Sequence, residues 1–291
     1  MDLDAELSSW LAERIGPVTG VRELVGGLSS QMLLVRTTGP SVVPHDLVVR
    51  RWPGVNSWEA DRVRTEVAAL TALADTSLAT PQLICADPDG TESGRPTTVM
   101  TFLDGTPNLA PTDPRDWVRQ LAAMLVRIHR TPPPALPHCR LWSRDDHTWL
   151  GDDQLVAEAS ALADRPPRHD DLVLSHADYQ HFNLLWIDQR LTGVVDWTGT
   201  GLATRGFDVG HCRLNLAVLF SADLAMQFLD DYEQLSGVRV DPAPDLQRLL
   251  CFDQEWPRFI PLQVAGRRTV DGPGMADRVR ETVVRTLRRA G

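Results

Sequence analysis

The sequence predicts an α+β fold in two lobes: an N-terminal lobe built on an antiparallel sheet with one main helix, and a larger, mainly helical C-terminal lobe. Three observations predict it. Before about residue 103, short apolar runs bounded by turn residues flank a single long stretch of helical period. Beyond that point helical stripes dominate, interrupted by three short apolar runs between about residues 171 and 197. At 291 residues the chain is long enough for two lobes with a core each. The lobes are expected over 1–103 and 104–291.

Residues 2–15 place Leu3, Leu7, Trp10, Leu11 and Ile15 on one helical stripe, with Gly16-Pro17 as its stop. VRELVG, QMLLVRTT and LVVRRW read as three antiparallel strands, joined by the glycine-containing GGLSS and the longer TGPSVVPHD. SWEADRVRTEVAALTALADT predicts a helix capped by Ser57, with Glu59 and Asp61 near the positive end of its dipole. Its buried face is expected to hold Trp58, Val63, Val67, Leu70 and Leu73. LICAD and PTTVMTFL add two strands around a DPDG turn. After LDGTPN, Thr112-Asp113-Pro114 opens a helix, because the N–H that proline lacks would go unused in a first turn. Trp117, Val118, Leu121, Met124, Leu125 and Ile128 continue it until TPPPALP ends it. Further helices are expected over 152–163, 206–219, 221–235, 243–254 and 275–289.

The composition is that of a globular protein, 43% hydrophobic and 23% charged, and no apolar run has the length of a membrane span. A net charge of −10 argues against nucleic acid or an anionic membrane as partner. Cys85, Cys139, Cys212 and Cys251 are scattered without a C-x-x-C pair, which reads as free thiols of a cytoplasmic protein. The acidic N-terminus has no basic n-region or cleavage site of a secretory signal. All 29 basic residues are Arg.

The chemistry is concentrated in HADYQHFNLLW, His176 to Trp186, and the VVDW that follows it. Asn183 lies five residues after Asp178, and Asp196 thirteen after Asn183. Phosphoryl transfer from a nucleotide needs such a set: one carboxylate to orient the attacking hydroxyl and take its proton, and an Asn and a second carboxylate to hold magnesium. The order and gaps match the kinase catalytic loop H-x-D-x-x-x-x-N and the metal-binding Asp beyond it. The apolar runs DLVLSHAD, FNLLW and RLTGVVDW read as short strands carrying this loop.

With GGLSSQ, LVVRRW, TEVAALTAL, VMTFLDG, LAAMLVRIH, HADYQHFN, VVDW and GFDVGH in this order, the chain from about residue 20 to 260 resembles the aminoglycoside phosphotransferase and choline kinase group of small-molecule kinases, which share the bilobal protein-kinase-like fold. The resemblance implies Asp178 as catalytic base, with Asn183 and Asp196 as Mg2+ ligands. His176 is implied to prop the loop, and Asp208 to brace it through backbone N–H groups. Gly26, Gly27, Ser29 and Ser30 would cover the phosphates of ATP or GTP. Arg50 stands where such enzymes often carry a Lys paired with a helix glutamate, here Glu66; strand alternation lets only one of Arg50 and Arg51 face the cleft. Met100, Thr101 and Phe102 would form the hinge whose backbone recognises the nucleobase. Departures are His181-Phe182 inside the loop, Trp197 after the metal Asp, and the lack of a terminal A-P-E, which disfavours a protein kinase.

The implied partner is a small-molecule hydroxyl acceptor, with a neutral sugar, a macrolide or a metabolite alcohol as open as a cationic one, and with no nucleic acid and no membrane; the oligomeric state is open. Asp230, Asp231, Glu233, Asp253 and Glu255 are candidates for an acidic wall facing a cationic acceptor such as an aminoglycoside or amino alcohol, and Trp142, Trp149 and Trp256 for an aromatic cage. Two rival readings are a pseudokinase-like nucleotide- or metabolite-binding module without transfer, which the Arg50 departure suggests, and a metal hydrolase using His147, His176 and His181, which lacks a recognisable ligand spacing.

Overall fold

The computed structural model describes residues 3–24, 29–38, 46–54, 56–133, 135–140, 143–166 and 171–291. The chain divides into two compact units, Met1–Asp104 with Val194–Gly199, and Gly105–Gly193 with Thr200–Gly291. Among the described residues the fold is the mixed α and β architecture expected from the sequence.

In the first unit α1 (Ala5–Ile15) is capped by Asp4, whose side chain accepts the Leu7 N–H, and Gly16 ends it at φ 88. Then come β1 (Val18–Glu23), β2 (Gln31–Thr37), β3 (Asp46–Arg51), α2 (Ser57–Leu73), β4 (Leu83–Asp87) and β5 (Thr97–Thr101). The strands form one antiparallel sheet in the order β1-β2-β3-β5-β4. Leu7, Trp10, Leu11 and Ile15 of α1 share a core with Leu33, Val35, Leu47, Val49 and Val99 of the sheet. β1 begins three residues earlier than VRELVG suggested, as soon as Gly16-Pro17 has turned the chain out of α1.

Two expectations for α2 are corrected. Its N-cap is Asn56, which accepts the Glu59 N–H at 3.1 Å, not Ser57. Trp58 is 46% exposed, edge-on to Trp52 with the Arg62 guanidinium over its ring, and is not part of the buried face. That face instead includes Glu59 and Glu66, and Val67 is only half-buried. A hydrophobic periodicity overlooks a carboxylate that is buried because a partner meets it, Arg50 for Glu66 and the Gly54 N–H for Glu59.

In the second unit α3 (Pro114–Arg130) starts at Asp113, which accepts the Arg115 and Asp116 N–H groups, with proline in its first turn. α4 (Asp153–Ala163), β6 (Leu172–Ser175), β7 (Leu184–Ile187), β8 (Arg190–Val194) and β9 (Gly201–Thr204) follow. β6 pairs with β9, and β7 with β8. Then come α5 (Arg205–Leu219), α6 (Ala222–Ser236), α7 (Pro242–Leu249), α8 (Trp256–Val264) and α9 (Met275–Ala290). α5 is the axis of this unit: residues 206–219 are all buried, under α6, α7 and α9. The close approach of α7 requires glycine, because a Cβ on Gly206 would lie 2.7 Å from Pro244 Cγ, and one on Gly210 would lie 2.8 Å from Arg248 Cβ.

The helix expected over 243–254 stops at Leu249, and α8 and β9 were not expected. Pro257 sits in the first turn of α8, where its N–H is not needed, but Pro261 lies inside the helix. No helix among the described residues is long and apolar enough to cross a membrane.

Candidate active site

β6 delivers the loop that begins at His176, and the first turn of α5 holds it. Asp208, fully buried, accepts the backbone N–H of His176 at 2.9 Å and of Ala177 at 2.8 Å, and meets His129 Nε2 at 3.1 Å. Burial pushes the Asp208 carboxyl up, but the His129 hydrogen bond and charge and the facing His176 outweigh it, so the group is held below the usual carboxylate range. The brace lets Ala177 keep φ at +67, a left-handed conformation costing a non-glycine residue about 1 kcal/mol. His176 supports the turn as well, since its Nδ1 accepts the Asp178 N–H at 3.3 Å.

Asp178 follows, with its side chain 40% exposed. Its Oδ1 accepts from Gln180 Nε2 and from His211 Nε2, both at 2.8 Å, and its Oδ2 accepts from Asn183 Nδ2 at 2.8 Å. The Asn183 amide also donates to the Asp178 carbonyl at 2.9 Å. Behind His211, Arg248 Nη2 donates to His211 Nδ1 at 2.7 Å, with its guanidinium over the Phe207 ring. Burial first, and the Arg248 charge after it, hold His211 below the ordinary imidazole value, against the pull of Asp178.

The first unit carries a second charged group. Strand alternation sends Arg50 and Arg51 to opposite faces of β3. Arg51 turns toward α1, bonding Asp4 at 2.5 Å and the Ser93 carbonyl at 2.7 Å. Arg50, buried on the other face, lies 3.6 Å from Glu66 of α2 and 2.7 Å from Asp196 Oδ1. Burial pushes the Glu66 carboxyl up, and Arg50 pulls against it. Asp196 sits at φ +69, accepts from Thr198 Oγ1 at 2.9 Å and keeps a third of its side chain exposed.

The model of the phosphotransferase enzyme family matches residues 20–249. The chain belongs to that family. Curated protein sequences yield no match to this phosphotransferase. Solved structures do: aminoglycoside phosphotransferase APH(4)-Ia is 17% identical over 98% of this chain and 99% of its own, with a TM-score of 0.61. The macrolide 2'-phosphotransferase MphH from Brachybacterium faecium is 18% identical over 95% of this chain and 98% of its own, at 0.58. The streptomycin-ATP-APH(2")-IIa ternary complex is 14% identical over 86% of this chain and 88% of its own, at 0.54. At these identities the likeness is one of fold.

Other residues singled out in this phosphotransferase fare unevenly. Gly26, Gly27 and Trp142 lie outside the described residues. Ser29 and Ser30 form a bend before β2, with Ser30 Oγ turned to Met32 Sδ at 3.8 Å. Met100 is paired in the sheet, and the N–H groups of Thr101 and Phe102 donate to the Gln82 and Asp46 carbonyls, so they are already committed within the first unit. The five acidic candidates each lie beside a guanidinium: Asp230 and Glu233 pair with Arg289, Asp231 with Arg119, Asp253 with Arg144 and Glu255 with Arg258.

Trp149 and Trp256 each pack at a steep angle on buried Phe252, which joins them in one aromatic row. His181, offered for a hydrolase, is buried among Trp117, Phe182 and Phe220, and no group of three or more His, Cys, Asp or Glu among the described residues could hold a metal. His211 and Arg248 were missed, because they lie 33 and 70 residues beyond Asp178 and no local spacing marks them.

Proposed function

We propose that this phosphotransferase moves the γ-phosphoryl group of ATP or GTP to a hydroxyl of a small molecule, with Asp178 as catalytic base. The observation that carries this reading is the Asp178 carboxylate, which reaches solvent yet is held by side-chain donors on both oxygens. A carboxylate so fixed accepts the proton of a hydroxyl placed against it while that oxygen attacks the γ-phosphorus in line and the nucleoside diphosphate leaves. The first unit is then the nucleotide-binding part, where Arg50 and the bend at Ser29 and Ser30 face phosphate charge, and the second presents the acceptor to Asp178.

Magnesium fits the donor set. Asn183 spends its amide nitrogen on Asp178, which leaves its amide oxygen as the ligand end, and Asp196 offers a partly exposed carboxylate. Each is a hard oxygen ligand of the kind that suits magnesium, an ion that keeps waters and also binds phosphate. Bound there, it would supply neutralisation of the phosphate charge. The acceptor class proposed is the aminoglycoside or amino-alcohol type, the former supported by the streptomycin-ATP complex of the structural relative. Activity is placed in the cytoplasm, where the nucleotide is.

The test is acceptor-dependent release of ADP or GDP, with Mg2+, across a panel of aminoglycosides, macrolides and amino alcohols. Asp178→Ala is expected to bind nucleotide as the wild type does and to lose transfer by about 10²–10⁴-fold. Turnover kept in that variant would refute the assignment.

A further inference from the structure

We propose that Arg248 and His211 act as a positioning relay for Asp178: Arg248 fixes the tautomer of His211, and His211 in that tautomer fixes the carboxylate. The proposal rests on the reading of Asp178 as the base and names two further residues on which that base depends.

The argument starts from what a guanidinium can do. Arg donates hydrogen bonds and accepts none. With Arg248 Nη2 at 2.7 Å, His211 Nδ1 must therefore be the acceptor and carry no proton. The neutral ring then has its proton on Nε2, which lies 2.8 Å from Asp178 Oδ1. A doubly protonated ring would set an N–H against the guanidinium N–H, and burial opposes that charge as well. The opposite neutral tautomer would aim a lone pair at the carboxylate. Of the three forms of the ring, the one Arg248 accepts is the one Asp178 needs.

The fold places the relay without slack. Gly210, next to His211 on α5, brings α7 close enough that a Cβ at that position would lie 2.8 Å from Arg248 Cβ. Phe207, one turn earlier on α5, stacks under the guanidinium 4.5 Å away. The Asn215 amide, one turn later, donates to the His211 carbonyl at 3.0 Å. A carboxylate has about four lone-pair sites. His211, Gln180 and Asn183 each take one here, which orients the side chain and leaves room for the acceptor hydroxyl. An apolar pair would fill the space behind Asp178 without the desolvation cost of a buried Arg and His. The cost is met because a base displaced by about 1 Å loses much of its advantage.

The test combines kinetics and spectroscopy on the full chain. The probe is Mg-ATP turnover, in which water is the acceptor when no alcohol is supplied. His211→Ala is expected to lower kcat by about 10–100-fold with the KM for ATP within about twofold. His211→Gln, which restores an amide donor toward Asp178, is expected to recover most of that loss. Arg248→Met should lower kcat in the wild-type background and have no further effect in the His211→Gln background, because Arg248 acts through the imidazole. Nitrogen and carbon NMR shifts of His211 in the wild type should report the Nε2–H tautomer, and this measurement stands even where a variant fails to fold.

An Nδ1–H tautomer, or equal kcat in His211→Ala and wild type beside an inactive Asp178→Ala, would overturn the relay and leave the proposed function standing. Turnover surviving in Asp178→Ala would overturn the proposed function and, with it, the catalytic part of the relay.

Discussion

His181 offers a measurable link between packing and pH. Its ring is packed with the Phe182 centroid 4.4 Å away, Phe220 at 5.4 Å and Trp117 at 6.3 Å. Burial, then the charges of Arg268, His211 and Arg267, push its pKa down to about 3. In the unfolded chain the imidazole returns to about 6.5. Because the folded value is the lower one, the unfolded state binds the proton first as pH falls. The stabilisation is therefore complete above about pH 6.5 and is lost progressively between there and about 3.

Between pH 7.5 and 5.0 the loss from His181 comes to about 2 kcal/mol, from roughly 1.5 pH units below the unfolded value at about 1.36 kcal/mol each. His211, lowered by burial in the same unit, adds in the same direction. The assay is urea unfolding at the two pH values, for the wild type and for His181→Phe, which keeps an aromatic ring in the site. The variant should lose about 2 kcal/mol less than the wild type on acidification. Equal losses in the two proteins would refute the argument that burial keeps this imidazole neutral.

Other outcomes follow from buried charge and close packing. Arg213 pairs with Asp245 and also donates to Thr286 Oγ1 and the Ala225 carbonyl, all inside the helical unit. Arg213→Met should destabilise by about 3–5 kcal/mol in urea unfolding, and adding Asp245→Ala should recover a large part, since the unpaired buried carboxylate is the main cost. Gly210→Ala should lower stability by about 1–3 kcal/mol in the same assay, because the methyl group would press on α7. Arg50→Met strands Glu66 and removes the cation proposed to face phosphate; pairing it with Glu66→Gln should restore stability without restoring Mg-ATP turnover, and recovery of both would show that Arg50 is structural alone.

The sequence by itself determined what is local. Leu7, Trp10, Leu11 and Ile15 marked α1 by period, Asp113-Pro114 marked the start of α3 by cap chemistry, and His176, Asp178 and Asn183 marked a loop by spacing, because each signal lies within about four turns of chain. Where a local rule had a non-local exception, the reading failed. Pro257 and Pro261 hid α8, and on α2 Trp58 lies outside the core while Glu66 lies in it beside Arg50.

Only the tertiary structure decided which arginine of β3 meets Glu66 and Asp196, which guanidiniums cover the acidic residues of the C-terminal helices, and what stands behind Asp178. Apart from Glu255–Arg258, three positions apart, those are pairings between residues 16 to 146 positions apart. They are settled by which helices pack closely and which buried polar groups must find partners, and neither leaves a period in the chain.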